Sequence, residues 1–173
     1  FGYSPIFYQQ PTNGLTYNLV SKELVVESQD ELDSLMILSA LLGKVAAGNK
    51  DHIQLQKEIS KISGGISASN HFFYDKNEEL KGKMTLSAKF LPENTIDTTN
   101  LIFEIFNKTN FDLHERIKEL MFQNFMGFQQ SIVENGHRFA MLGASSSHNQ
   151  LSYLQESMGG LSAISKFAPF VTN

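Results

Sequence analysis

The chain has 173 residues, 41% of them hydrophobic and 14 of them phenylalanine, which is material for one ordinary domain with a core that needs no covalent staples. The absence of cysteine removes disulfides, thiolate metal sites and thiol nucleophiles, and a net charge of −4 without a basic stripe argues against nucleic acid as a partner. No apolar run approaches the roughly 20 residues that cross a bilayer, and no basic start leads into an apolar targeting segment, so no membrane partner is expected.

The chain opens on Phe1 rather than Met, with an aromatic lead of Phe1, Tyr3, Phe7 and Tyr8, and reads as an excised piece of a longer protein. Localisation stays open on these grounds, a reducing compartment and an organelle lumen both being compatible with it. The turn signal Pro11-Thr12-Asn13-Gly14 precedes a β-prone stretch from Leu15 toward Leu24. Ser28 then caps a helix, with Glu31 completing a capping box, and Leu32, Leu35, Met36, Ser39 and Leu42 recur at helical steps as one apolar face. Gly43 and Gly48 offer stops.

Asp51 caps a second helix with Ile53, Leu55, Ile59 and Ile62 on its apolar side, ending at Ser63-Gly64-Gly65. Ile66 to Tyr74 and Lys83 to Leu91 read as two strands joined by the polar turn Asp75 to Glu79. On the second, Met84, Leu86, Ala88 and Phe90 alternate with Lys83, Thr85, Ser87 and Lys89, the pattern of a half-buried sheet. A third helix starts between Thr95 and Thr99 and carries Leu101, Ile102, Ile105 and Phe106. A long fourth runs from Asp112 to Gly136 on a stripe of Leu113, Ile117, Leu120, Met121, Asn124, Phe128 and Ile132. A short small-residue segment, Met141 to Ser147, precedes a fifth helix over His148 to Met158, and a sixth over Leu161 to Phe167 stops at Pro169. With no repeat, no low-complexity tract and no linker, residues 1–173 are expected to form a single α+β domain of two layers. Its helices pack on one face of a largely antiparallel sheet.

The candidate chemistry is sparse. The five histidines, His52, His71, His114, His137 and His148, never fall one helical turn apart, so no single helix can aim two imidazoles at one zinc ion. Ser145-Ser146-Ser147-His148 reads as a polar loop capping a helix, because a hydrolase elbow requires Gly-x-Ser-x-Gly between strand and helix. The glycine pairs at 64–65 and 159–160 are helix ends rather than phosphate loops. Asn107-Lys108-Thr109 matches a glycosylation triplet that carries weight only in a secretory setting. Glu78-Glu79, and Glu115 with Glu119 beside Arg116 and Lys118, read as solvated faces. No catalytic, cofactor-binding or metal-binding residue is assigned.

Several phrases and their order resemble a known family. Gln10-Pro11-Thr12-Asn13-Gly14-Leu15-Thr16-Tyr17, Ile62-Ser63-Gly64-Gly65-Ile66-Ser67-Ala68-Ser69, Gly136-His137-Arg138 and Glu156-Ser157-Met158-Gly159-Gly160-Leu161-Ser162 together resemble the pitrilysin/insulinase-type zinc metallopeptidases. The similarity is to their presequence-protease and falcilysin-like branch, and it spans roughly Pro11 to Phe170. The resemblance implies one of four related α+β domains that close as two halves around unfolded peptides, here the third, at the start of the second half. It also implies zinc in the parent enzyme rather than in this chain, held by a His-x-x-Glu-His helix in the first domain. The helix from Ser28 to Leu42 corresponds to that zinc helix, yet reads Asp33-Ser34-Leu35-Met36-Ile37-Leu38-Ser39 without ligands. The fourth domain's Arg-x-x-Gly-Gly-Ala-Tyr phrase has no counterpart either, so none of the family's catalytic residues is carried over.

The expected function is therefore a non-catalytic domain of a zinc-dependent endopeptidase that degrades unfolded peptides in an enclosed chamber. Its partners would be the remaining domains of the same polypeptide and, in the intact enzyme, peptide substrate. The alternative is a non-peptidase assembly subunit of the same fold, and a third reading is an unrelated α+β ligand-binding module. Missing neighbours predict partial exposure of Phe1, Tyr3, Phe7 and Tyr8, or of the segment from Phe167 to Phe170.

Overall fold

The computed structural model describes residues 5–170. Asn13 and Gly14 both take positive φ and Leu15 N–H donates to Thr12 O at 3.1 Å, a tight turn that delivers the chain into β1 (Thr16–Leu24). Ser28 then caps α1 (Gln29–Leu41), its hydroxyl accepting from Glu31 N–H. The capping box is only half formed there, because the Glu31 carboxylate reaches one residue further back, to Glu27 N–H at 2.8 Å.

A loop follows, with Gly43 and Gly48 at positive φ and Val45 and Ala47 fully buried. Asp51 and Gln54 exchange side-chain-to-backbone hydrogen bonds at 2.8 and 3.0 Å, a complete box opening α2 (His52–Ile62). Leu55, Ile59 and Ile62 of α2 are buried, but Ile53 is half exposed. One residue into the helix, it falls off the stripe that Leu55 and Ile59 turn toward the core.

β2 (Ile66–Tyr74) and β3 (Leu80–Phe90) form the hairpin. β3 starts earlier than the alternation predicts, because Leu80, Lys81 and Gly82 pair with Tyr74, Phe73 and Phe72. Glycine and lysine there hide a strand whose hydrogen bonds are already made. Gly82 is required: a Cβ on it would lie 2.7 Å from the Phe72 ring. The sheet is antiparallel throughout, in the order β1-β3-β2.

After a 3-10 turn at Pro92–Asn94, α3 (Thr95–Lys108) lays Leu101, Ile102 and Ile105 into the core. α4 (His114–Ser145) starts after Leu113, without a side-chain cap, while Asp112 N–H is held by Asn110 Oδ1. Gly136 does not end α4. The helix bends at Asn135 (φ −126°, ψ 31°) and continues through the small-residue segment to Ser145, since Phe139, buried beyond the bend, anchors the second part. Asn149, rather than the segment at His148, caps α5 (Gln150–Gly159), accepting from Ser152 N–H at 2.9 Å. α6 (Leu161–Phe167) follows, and a 3-10 turn covers Ala168–Phe170.

Two apolar clusters share α1. On one side of it, Leu35, Leu38 and Leu42 join Leu86, Ala88, Phe90, Leu101, Ile102 and Ile105 between sheet and helices. On the other, Met36 and Leu41 meet Leu120, Met121, Ala163 and Phe167 of α4 and α6. The single greasy face expected of α1 is thus two faces, because the helix lies between neighbours on both sides. The α+β class and the packing of helices on an antiparallel sheet are as the sequence predicts.

Candidate functional site

The histidines lie apart. His52 and His114 are the first residues of α2 and α4. His71 lies on β2 with Nε2 2.9 Å from Ser69 Oγ, His137 sits on the exposed side of α4, and His148 lies in the turn after it. Among the described residues no group of three or more His, Cys, Asp or Glu side chains is placed to hold a metal ion. The donor set does not fit the zinc that the resemblance implies for the parent enzyme, so no step is derived through it.

The hydroxyls beside His148 bond locally: Ser145 Oγ donates to Leu142 O and Ser146 Oγ to Gly143 O, closing the end of α4. Glu119 pairs with Arg116 at 2.6 Å, and Glu79 with Lys81 at 2.7 Å. Asp75 shapes the hairpin turn, its Oδ1 accepting from Asn77 and Glu79 N–H. Those bonds, Glu79's first, hold its carboxyl below the usual range.

Two grooves remain. One, about 540 Å³, runs between α2 and α3 past Lys57, Glu58, Lys61, Asp97 and Glu104. Beside it Lys50 pairs with Glu104 at 2.6 Å and with Glu58 at 3.5 Å, tying the two helices together. The hydrogen bond to Glu104 raises the Lys50 pKa, desolvation opposes it, and the Glu58 charge adds to the rise. Lys50, Glu58 and Glu104 thus satisfy one another.

The second groove, about 420 Å³, is enclosed by α1, β2, α4 and α5, with Met36, Leu142, Leu154 and Met158 among its apolar walls. Asn70 and Arg138 also line it. Asn70 Nδ2 donates to Leu35 O at 3.0 Å, whereas its Oδ1 is buried without a hydrogen-bond partner. The Arg138 guanidinium stands 5.8 Å from the centre of the Phe139 ring. Among the described residues no carboxylate lines this groove, which offers apolar surface, the Asn70 and Gln155 amides, the Ser39 hydroxyl, the His71 imidazole and the Arg138 cation. Sequence reading missed it. The one available signal was Asn70, a polar residue among Ile66, Ala68 and Phe72 at the alternate positions of a strand.

Exposed apolar surface is the other feature. Phe7 is 88% and Tyr8 80% exposed, as predicted for the aromatic lead, while Phe1 and Tyr3 lie outside the described residues. In the alternative segment from Phe167 to Phe170, Pro169 is exposed, while Phe167 is 1% exposed, because α6 folds back and sets its ring 5.6 Å from that of Phe128. Tyr17 and Leu19 are exposed on β1, on the sheet face opposite the helices.

Fold and surface together define an α+β domain with its helices on one side of an antiparallel sheet and apolar surface left over. The model of a peptidase-associated family, the segment associated with subfamily C of metallopeptidase family 16, matches residues 2–168, and the chain belongs to that family. Among curated proteins it is similar to the mitochondrial presequence protease of Danio rerio, 28% identical over 164 residues, which cover 92% of this chain and 16% of that protein. The Mus musculus presequence protease is 26% identical over 163 residues, again 92% of this chain and 16% of the relative. Protein HypA of Clostridium perfringens is 29% identical over 135 residues, covering 77% of this chain and 14% of that protein. The chain thus spans about a sixth of the length of these relatives. The resemblance to presequence-protease-like metallopeptidases drawn from the sequence holds, and the chain is a peptidase-associated segment.

Proposed function

We propose that this domain is a non-catalytic wall of a larger zinc-dependent endopeptidase, inactive alone and enclosing unfolded peptide substrate together with the remaining domains of the same polypeptide. The observation that carries the reading is the family match across residues 2–168. The scattered donors give it physical support, since a hydrolytic zinc needs three protein ligands converging on one open position. Zinc is accordingly assigned to the part of the parent chain outside these residues. A chamber that excludes bulk water needs rigid lining on every side, and the exposed lead and sheet face supply surface against which further domains pack.

Purified chain should hold no stoichiometric zinc and cleave no unfolded peptide by itself, and cleavage should appear only when the remaining parts of the parent polypeptide are present. Stoichiometric zinc, or metal-dependent cleavage by the chain alone, would overturn the reading.

A further inference from the structure

Asparagine is followed by glycine at two places in the chain, 13–14 and 135–136. The side-chain amide of an asparagine is open to attack by the main-chain nitrogen of the next residue, and a glycine there puts no Cβ in the way. The fold decides whether the attack happens. It must leave the amide accessible, the nitrogen unengaged and the main chain able to rotate.

The first pair meets all three conditions. Asn13 and Gly14 are exposed and take φ of 51° and 80°, the two positive angles of a type I′ turn. Among the described residues neither the Asn13 side chain nor Gly14 N–H takes part in a hydrogen bond, and nothing lies within 4 Å of where a Gly14 Cβ would be. The bond from Leu15 N–H to Thr12 O closes the turn, and the net worth of such a bond leaves it open on the order of a tenth of the time. Residues 5–12 ahead of it belong to no helix or strand, so the turn opens without breaking a ladder.

The second pair sits inside α4. Asn135 is half-buried, and the helix continues on both sides of it, its later part anchored by the buried Phe139. Rotation of the main chain at Asn135 has to unwind α4, a local unfolding more costly than the opening of an exposed turn. The molecule thus carries its own control.

We propose that Asn13 is a site of deamidation and isoaspartate formation. Gly14 N bonds to Asn13 Cγ, the Cγ–Nδ2 bond breaks, and the amide nitrogen leaves as ammonia with the proton from Gly14 N. Water then opens the succinimide ring. Opening at Cγ gives aspartate, and opening at the Asn13 main-chain carbonyl gives isoaspartate. One water is consumed, one ammonia is released, and nothing is oxidised or reduced. Both products add a negative charge, and isoaspartate also inserts a methylene into the main chain of the turn that delivers β1. Its free carboxylate suits an enzyme that methylates isoaspartyl groups.

The test incubates the full-length polypeptide that carries this domain in mildly alkaline buffer and digests it in acid, where the reaction is slow. Mass spectrometry follows the peptides that contain Asn13 and Asn135. In the folded protein Asn13 should gain one mass unit at least about tenfold faster than Asn135. In denaturant the two rates should converge, since the fold no longer separates them. The Asn13 product should accept labelled methyl groups from S-adenosylmethionine through an isoaspartyl methyltransferase, and Asn13→Gln should abolish both signals at this position. Equal rates in the folded protein overturn the proposal, as does an Asn13 that stays intact while the unfolded chain converts. So does aspartate formed without isoaspartate, which would mean direct hydrolysis of the side chain rather than ring closure.

Discussion

Phe167→Ala is the most direct test of how the C-terminal helices are held. Phe167 is 1% exposed and packs with Met36, Leu41, Val45, Leu120, Met121 and Ala163, with the Phe128 ring 5.6 Å away. Truncating a buried phenylalanine costs about 3–5 kcal/mol, from lost transfer energy and from the cavity left behind. With a urea slope of about 2 kcal/mol/M, the midpoint of the 173-residue chain should fall by roughly 1.5–2.5 M. Phe7→Ala, at a site 88% exposed, is the control and should stay within about 0.5 kcal/mol. A double-mutant cycle with Phe128→Ala should show coupling of about 0.5–1.5 kcal/mol, the usual worth of an aromatic pair. If Phe167→Ala behaves like Phe7→Ala, α6 is not packed against α1 and α4, and the second apolar cluster does not exist.

Gly82→Val should unfold the chain or lower its melting temperature sharply in a thermal scan, because the new side chain overlaps the Phe72 ring; a wild-type melting temperature would refute the strand register. Asp51→Ala removes the acceptor for Gln54 N–H and should cost about 1 kcal/mol in urea unfolding, with no loss meaning that the box is decorative. The Lys50 pKa is raised in the fold, so its contribution is complete below the unfolded value near 10.4 and fades as pH rises through the folded one. Lys50→Met should therefore be less stable than wild type near neutrality, and the gap in melting temperature should narrow above about pH 10.5; a gap that widens there would reverse the assigned sign. Asp75 carries the opposite sign, its folded pKa being depressed. Its turn is intact above the unfolded pKa and loosens as pH falls through the lower folded one, so the protection factors of the hairpin amides, exchange corrected for the intrinsic rate at each pH, should fall in acid for wild type and already be low near neutrality in Asp75→Ala.

Local rules made much of the fold legible. The Asp51–Gln54 box, the Asn13-Gly14 turn, the alternation from Met84 to Phe90 and the termini of α6 follow from interactions within a few residues, which the sequence displays directly. The order of short phrases carried the family, since each glycine turn and cap must recur where the same elements meet. What sequence could not decide were the features set by distant neighbours. Phe167 looks like a loose tail until α6 folds back onto Phe128, and α1 looks one-sided until α4 and the sheet occupy opposite sides of it. Gly136 looks like a stop, but the cost of a glycine in a helix is about 1 kcal/mol and the burial of Phe139 outweighs it. The Asn70 groove belongs to this second kind, since Met36, Asn70, Arg138 and Leu154 reach it from four elements far apart in sequence, and no local periodicity records that meeting.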